Sequence, residues 1–509
     1  METFSPLDER KALGRETIRA GAWAMTTLAA GRLVSLASLV WLARVLAPSD
    51  FGLLAFALAF ITYAETIGDL GTSAALIYWP DRDRSRDAVA QLTFVISLAA
   101  GLAWFALTLV LAPSVAAFFQ SEPTTDILRV LALTFPIKAL GATHDALAQK
   151  DLRFRARFLP EVGLSTFKGI VAIALASAGF GVWSLVLGHL AGVLAWTVLL
   201  WIVVPWRPGA SLRLDLVRPV LTYGRDIVAV NVLGAIVHHA DVIVVGRMLG
   251  ASALGFYQVA GRLPDVTLMM VVRAAGRILF PAFARLGADT ASLRAAYLSA
   301  LKYVSLLVAP AAAALMILAG PIVRVFFGPA WEPSVPILRA LAAYAGLRAL
   351  GTHAGDVLKA VGRPGVLAWF GVAKAAMVVP ALILAARIDA AAVATALAAV
   401  TLLSVLLNLA IVSRLLRVRT ADVFAAIRPA TACTMVMSIV LAAWVRATAP
   451  APVLLVLGGG LALGCAVYLA FLRLITPEIP ATIMGALGIG RPFGRSPGEP
   501  RTAAAGGRQ

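Results

Sequence analysis

The chain has 509 residues, 61% of them hydrophobic and only 14% charged. Soluble domains carry about 25% charged residues, so this chain cannot cover several soluble domains with charge, and a polytopic membrane protein is the class that remains. Lys and Arg number 44 against 26 Asp and Glu, an excess of 18. In a soluble protein that excess points to nucleic acid or another polyanion; in a membrane protein part of it is topology signal, and no nucleic-acid partner is expected.

A bilayer-spanning helix needs about 20 mostly apolar residues. Fourteen such runs follow one another at 17–45, 51–78, 89–112, 126–148, 159–179, 181–204, 219–246, 253–282, 297–320, 335–358, 364–386, 390–413, 423–446 and 450–473. The predicted fold class is therefore an all-α polytopic membrane protein of about 14 transmembrane helices. Connections after even runs are rich in basic residues: Arg82, Arg84 and Arg86; Lys150, Arg153, Arg155 and Arg157; Arg207, Arg213 and Arg218; Arg414, Arg417, Arg419 and Arg428. Connections after odd runs are poor in them; 113–125 has none. The positive-inside rule then puts both termini in the cytoplasm and predicts a multi-pass protein of a bacterial inner membrane. The tail after Arg491, rich in Gly, Ala, Pro and Arg, reads as disordered. Cys433 and Cys465 stand in apolar runs without metal-ligand spacing, and no cleavable signal peptide is expected.

A repeat is visible inside the chain. Arg44-Val-Leu-Ala-Pro-Ser-Asp-Phe-Gly52 ends the first run and Arg247-Met-Leu-Gly-Ala-Ser-Ala-Leu-Gly255 the seventh. Ser49 and Ser252 are expected to cap the helices that follow. Lys138-Ala-Leu-Gly141 and Arg348-Ala-Leu-Gly351 are a second echo. Both map span n onto span n+6; chance recurrence in an Ala/Leu/Gly-rich chain is the alternative. A true repeat gives two six-helix lobes related by an axis along the membrane normal. The expected divisions are a cytoplasmic segment 1–16, an N-lobe 17–205, a linker 206–218, a C-lobe 219–416, two further helices in 417–475, and a cytoplasmic tail 476–509.

Ionisable groups inside spans are costly and face a cavity or a partner. Arg262, Arg273 and Arg277 share one face of the eighth span, being eleven and four residues apart. Arg225 with His238, His239 and Asp241 falls in the seventh span, Arg32 in the first, and Glu65 and Asp69, one turn apart, in the second. Lys138, Lys168, Arg348, Asp356 and Lys374 complete the set. Snorkelling to a membrane face is the plain alternative for Arg277, Lys168 and Arg225, and Glu65 or Asp69 is a possible neutralising partner for Arg32. Adjacent His238 and His239 diverge by about 100° on a helix, so no metal site is expected there. Cations on one face of a central helix form an anion site, and the planar guanidinium fork suits a pyrophosphate headgroup.

The run Asp241-Val-Ile-Val-Val-Gly-Arg-Met-Leu-Gly-Ala-Ser-Ala-Leu-Gly-Phe-Tyr257 resembles polysaccharide transporters of the multidrug/oligosaccharidyl-lipid/polysaccharide flippase superfamily. So do Leu279-Phe-Pro-Ala-Phe-Ala-Arg285 and Ala148-Gln-Lys-Asp-Leu-Arg-Phe154. The likeness covers about residues 15 to 415 and is nearest to exopolysaccharide and colanic-acid type exporters. It implies two six-helix lobes around a central cavity plus two C-terminal helices. It also implies flipping of an undecaprenyl-pyrophosphate-linked oligosaccharide by alternating access, as a transporter and not an enzyme. Under that implication the substrate-binding candidates are Arg262, Arg273, Arg32, Arg277, Arg225, Lys138 and Arg348, and the ion-coupling candidates are Glu65, Asp69 and Asp241. No cofactor is expected; H⁺ or Na⁺ coupling stays open. The implied partners are the lipid-linked glycan, membrane lipids and polysaccharide polymerase or chain-length machinery. The alternatives are a multidrug or metabolite exporter of the same superfamily, which predicts an acidic cavity, and a membrane-embedded polymerase or ligase. For the latter, Asp81-Arg-Asp83 resembles a metal-binding pair, but it falls in a short loop expected to be cytoplasmic, where solvated charge is the favoured explanation.

Overall fold

A computed structural model describes residues 31–79, 85–151, 153–209, 212–286, 289–362 and 364–476. Asp81 and Asp83, and the side chains of His238, Arg273 and Arg277, lie outside what is described. Among the described residues the elements are helices and no strand occurs. They are α1 (31–45), α2 (Pro48–Gly68), α3 (Thr72–Tyr78), α4 (Ser85–Phe118), α5 (Thr124–Leu131), α6 (Thr134–Lys150), α7 (Phe154–Ser177) and α8 (Val182–Val203). There follow α9 (Val217–Leu286), α10 (Thr290–Ile317), α11 (Ala319–Phe326), α12 (Ser334–Ala360), α13 (Pro364–Ala385), α14 (Ala390–Leu416), α15 (Thr420–Ala447) and α16 (Val453–Ile475). Among the described residues the apolar runs fall largely on helix, the first of them from residue 31 onward. Among the described residues ten helical stretches are long and apolar enough to cross a membrane by length and composition. The first limb of α9 and α12 fall outside that set as separate spans, the latter with Arg339, Arg348 and Asp356 along it.

α9 is two helices that meet at Gly250, whose φ of 83° and ψ of −176° no helix tolerates. The limbs double back on each other: Tyr257 in the second donates its hydroxyl hydrogen to Asp241 in the first at 2.8 Å. Asp241 also accepts from the Val242 amide at 2.9 Å. α9 packs against α2 and α12, while α7 pairs with α8, α4 with α6, α12 with α14 and α10 with α15. Large apolar side chains such as Ile202, Trp369 and Leu454 remain on the outer surface, the arrangement expected of helices solvated by lipid rather than water.

The short connections at 46–47, 178–181, 250, 386–389 and 448–452 make one end of the bundle, here the turn face; the basic connections make the other. At the turn face Trp331 is fully buried. Its indole N–H donates to the Ala43 carbonyl at 2.6 Å, and Phe51, Phe256 and Phe327 surround it at ring-centroid distances of 5.3, 5.8 and 6.2 Å. Arg44 donates to the Phe326 and Val325 carbonyls beside it. At the basic face, ion pairs tie connections together, among them Arg86 to Asp151 at 2.7 Å and Arg294 to Asp422 at 2.6 Å.

The echoed motifs take related places in this packing. A Cβ on Gly52 would stand 1.8 Å from the Ala251 carbonyl oxygen, and one on Gly255 would stand 1.8 Å from that of Pro48. The two glycines are thus the point where α2 and the second limb of α9 cross. Gly141 of α6 receives Trp196 of α8, and Gly351 of α12 receives Val405 of α14. In the fourteen-span numbering these are spans four with six and ten with twelve. Ser49 does not cap α2. Pro48 already occupies the first helical position, and the Asp50 carboxylate takes the Ala47 amide at 3.1 Å; the proline's fixed φ starts the helix before the serine can stand outside it.

Candidate functional site

Between the halves lies a chamber of about 340 Å³ walled by α1, α2, α7, α8 and the second limb of α9. Arg32, Lys168 and Arg262 line it, each from a different helix, together with Glu161 and Asp265. Arg32 stands 13 residues before the turn-face end of its helix, Lys168 stands 9 before Ser177, and Arg262 stands 12 after Gly250. At 1.5 Å per residue these are depths of roughly 20, 14 and 18 Å. A hydrocarbon core is about 30 Å thick, so the three cations gather near its middle, where lipid does not solvate them. Snorkelling therefore does not describe Lys168. It sits close enough to Arg262 for the two positive charges to interact, and Arg262 in turn feels both Asp265 and Arg32.

The counter-charge to Arg32 is on α9. Its guanidinium lies 3.5 Å from the Asp265 carboxylate and donates to the Asp265 carbonyl at 3.2 Å. The pairing with Glu65 or Asp69 considered from the sequence does not form. Glu65 instead holds Lys138, at 2.8 Å, and Asp69 accepts from the Ser73 hydroxyl at 2.7 Å. Lys138 thereby leaves the group of cations around the chamber. It lines a side chamber of about 390 Å³ within the first half, bounded by α2, α3, α4, α6, α7 and α8.

A third chamber, also about 390 Å³, lies between α2, both limbs of α9 and α12. It shares Ala55, Leu58, Gln258, Arg262 and Asp265 with the first, so the two adjoin across those side chains. Asp241, Tyr257, Tyr344 and Arg348 face it, and Arg348 approaches the Tyr344 hydroxyl at 3.4 Å. His239 lies edge-on to Tyr63, with centroids 6.1 Å apart. Arg225 is exposed and lines none of these three chambers. Among the described residues no group of His, Cys, Asp and Glu is placed to hold a metal.

Of the residues singled out in the sequence, Arg32 and Arg262 meet in one chamber and Arg348 and Asp241 in its neighbour. Glu65, Asp69 and Lys138 stand together in the side chamber. Glu161 carried no signal of its own. It sits one turn from Arg157, and its reach into both the central and the side chamber follows only from how α7 packs.

Solved structures share this architecture. The lipid II flippase MurJ, in an inward closed conformation, superposes with a TM-score of 0.72 over 88% of this chain and 97% of its own, at 15% identity. A multidrug-resistance MATE transporter in an inward-facing conformation does so with 0.61 over 76% and 94%, also at 15%. Among curated proteins, the lipopolysaccharide biosynthesis protein WzxC of Escherichia coli K12 is 27% identical over 74% of this chain and 76% of its own length. The succinoglycan biosynthesis transport protein ExoT of Rhizobium meliloti is 27% identical over 68% and 69%. The teichuronic acid biosynthesis protein TuaB of Bacillus subtilis is 27% identical over 63% and 68%. Residues 41–336 match the family described as polysaccharide biosynthesis protein, and the chain, a multi-pass membrane protein with a MurJ- and MATE-like fold, belongs to that family.

Proposed function

We propose that the chain is a flippase, a transporter and not an enzyme, that carries an undecaprenyl-pyrophosphate-linked oligosaccharide repeat unit across a bacterial inner membrane for polysaccharide biosynthesis. The observation that carries the reading is the convergence of Arg32, Lys168 and Arg262 on one interior chamber at mid-depth. A diphosphate presents several anionic oxygens, guanidinium groups grip such oxygens in pairs, and Lys adds a point charge. The names of WzxC, ExoT and TuaB, each a polysaccharide biosynthesis protein, support the substrate class.

The lobes are 17–205 and 219–416, and they rock about the α2–α9 crossing so that the chamber opens to one face and then the other. With the basic face cytoplasmic, both termini are cytoplasmic too. The headgroup rides in the chamber while the lipid tail stays in the bilayer. Arg273 and Arg277, further along the sequence from Arg262, are the additional candidates for meeting the headgroup as it enters. Release follows when carboxylates reclaim the cations. Asp265 already holds Arg32, and Glu65, Asp69 and Asp241 are the groups through which H⁺ or Na⁺ couples to the cycle. The polymerase and chain-length machinery receive the product.

The combined change Arg32→Ala and Arg262→Ala is expected to abolish polymer export and to accumulate lipid-linked repeat units, with the protein still in the membrane. Export at the wild-type level in that strain would sink the reading.

A further inference from the structure

The side chamber is where we infer that the sugar adjoining the pyrophosphate binds, an assignment that rests on the flippase reading and adds a second subsite to it. Glu161 lines both this chamber and the cation-lined one, so a ligand anchored at Arg32, Lys168 and Arg262 has its next group at the entrance. The two linings differ in kind. Three aromatic side chains, Trp104, Phe135 and Trp196, line the side chamber, whereas among the described residues Phe51 is the sole aromatic lining the other. The indoles of Trp104 and Trp196 lie over Gly68 and Gly141, where a Cβ would come within 2.7 and 2.8 Å of them. Those glycines let the rings lie against the helix backbone and keep the space before them open.

The polar groups match a polyol. Ser73 and Ser97 offer hydroxyls, and Asp69 and Asp145 offer carboxylates already oriented, the first by Ser73 at 2.7 Å and the second by Arg157 at 2.7 and 3.1 Å. Pyranose rings bind through C–H faces laid on aromatic planes and hydroxyl pairs shared with carboxylates. At about 390 Å³ the chamber falls within the range of small-ligand pockets. The charge of its lining sets the sugar class. Glu65, Asp69, Asp145 and Glu161 stand against the amine of Lys138 and the Arg157 guanidinium that pairs with Asp145 and Glu161, which leaves an acidic excess of two, so a neutral or amino sugar is accepted and a uronic acid is disfavoured.

The test measures binding of three lipids to the full chain in nanodiscs: undecaprenyl pyrophosphate, and the same lipid bearing glucose or glucuronic acid. In the wild type, glucose should tighten binding by about tenfold, the worth of an aromatic platform plus one hydroxyl contact, and glucuronic acid should not. Trp104→Leu and Trp196→Leu should each erase most of the glucose gain while binding the sugar-free lipid as the wild type does. Arg262→Ala should weaken all three lipids and preserve the gain. An equal gain from glucuronic acid, or a gain intact in both tryptophan variants, overturns the sugar subsite. Unchanged binding of the sugar-free lipid by Arg262→Ala overturns the pyrophosphate reading instead. Should the tryptophan variants lose the sugar-free lipid as well, their fold has failed, and the wild-type comparison of glucose with glucuronic acid decides alone.

Discussion

α9 meets the α2–α3 hairpin at two places, on α2 at the turn face and on the α2–α3 turn and α3 toward the basic face, and the two contacts are built differently. At the turn face the crossing is backbone against backbone, Gly52 on Ala251 and Gly255 on Pro48. An aromatic knot reinforces it, in which Trp331 is fully buried and hydrogen-bonded to Ala43. Toward the basic face the contact is just as close, with a Cβ on Gly71 lying 2.4 Å from the Gly224 Cα. Its reinforcement is thinner: Tyr78 stacks on Tyr223 at 4.7 Å, and Tyr78 is 68% exposed. Buried aromatic area is the larger source of cohesion, so the turn-face seal is the stronger and the basic-face seal opens at lower cost. A flippase that loads from the basic side needs that asymmetry, because its empty form must open toward the supply of substrate.

The two seals are separable by substitution, beginning with the tightest contact. Gly52→Leu has no room for even its first side-chain carbon, so the crossing must part. Flipping in reconstituted vesicles is expected to fall below detection and thermal stability to drop; a wild-type rate would show that the crossing is not needed. Trp331→Ala should cost about 3–5 kcal/mol in unfolding measurements in detergent, the usual loss for a large buried aromatic. Trp331→Phe should cost about 1–3 kcal/mol, chiefly for the Ala43 carbonyl left without its donor. Tyr78→Ala should cost roughly 0.5–1.5 kcal/mol, since much of its ring is already exposed. Equal losses from Trp331→Ala and Tyr78→Ala would erase the proposed asymmetry. Asp151→Asn, which removes the charged partner of the partly exposed Arg86, should cost about 1 kcal/mol and less at high salt.

Smallest of all is a pH effect at the α10 N-terminus. Asp289 accepts from the Ser292 and Ala291 amides at 3.3 and 3.0 Å, and hydrogen bonding, led by Ser292, holds its carboxyl below the ordinary aspartate value. A depressed folded-state value means that the cap contributes fully above the unfolded aspartate value and is lost as pH falls through the depressed one. Asp289→Asn should remove that part of the acid dependence, read as the slope of stability against pH.

Apolar runs, their spacing and the basic connections were legible because each is a local pattern, and a helix needs no distant partner to satisfy its backbone. Arg262 stood out for the same reason, as a charge well inside an apolar run. Partners were not legible. Arg32 finds Asp265 across 233 positions and Lys138 finds Glu65 across 73, and neither spacing leaves a periodic trace. For Lys168 the sequence left snorkelling and a cavity-facing place both open, because depth on a helix does not say whether the neighbouring surface is lipid or cavity. The echo between Gly52 and Gly255 read as a turn signature, yet their chief effect is the crossing, which exists only when both halves are assembled.

The charge of the central chamber has an electrical consequence. Arg32, Lys168 and Arg262 against Glu161 and Asp265 give formally three minus two, or one net positive charge. A pyrophosphate diester of about two negative charges leaves the loaded chamber near one negative. If the protein charges stay in place while access alternates, it is the substrate's negative charge that traverses the field. An interior-negative membrane then pulls the headgroup outward with about 2.3 kcal/mol per charge for each 100 mV. Turnover in vesicles is expected to accelerate with inside-negative voltage even when no ion gradient is imposed, and a rate independent of voltage would show that no net charge crosses the field.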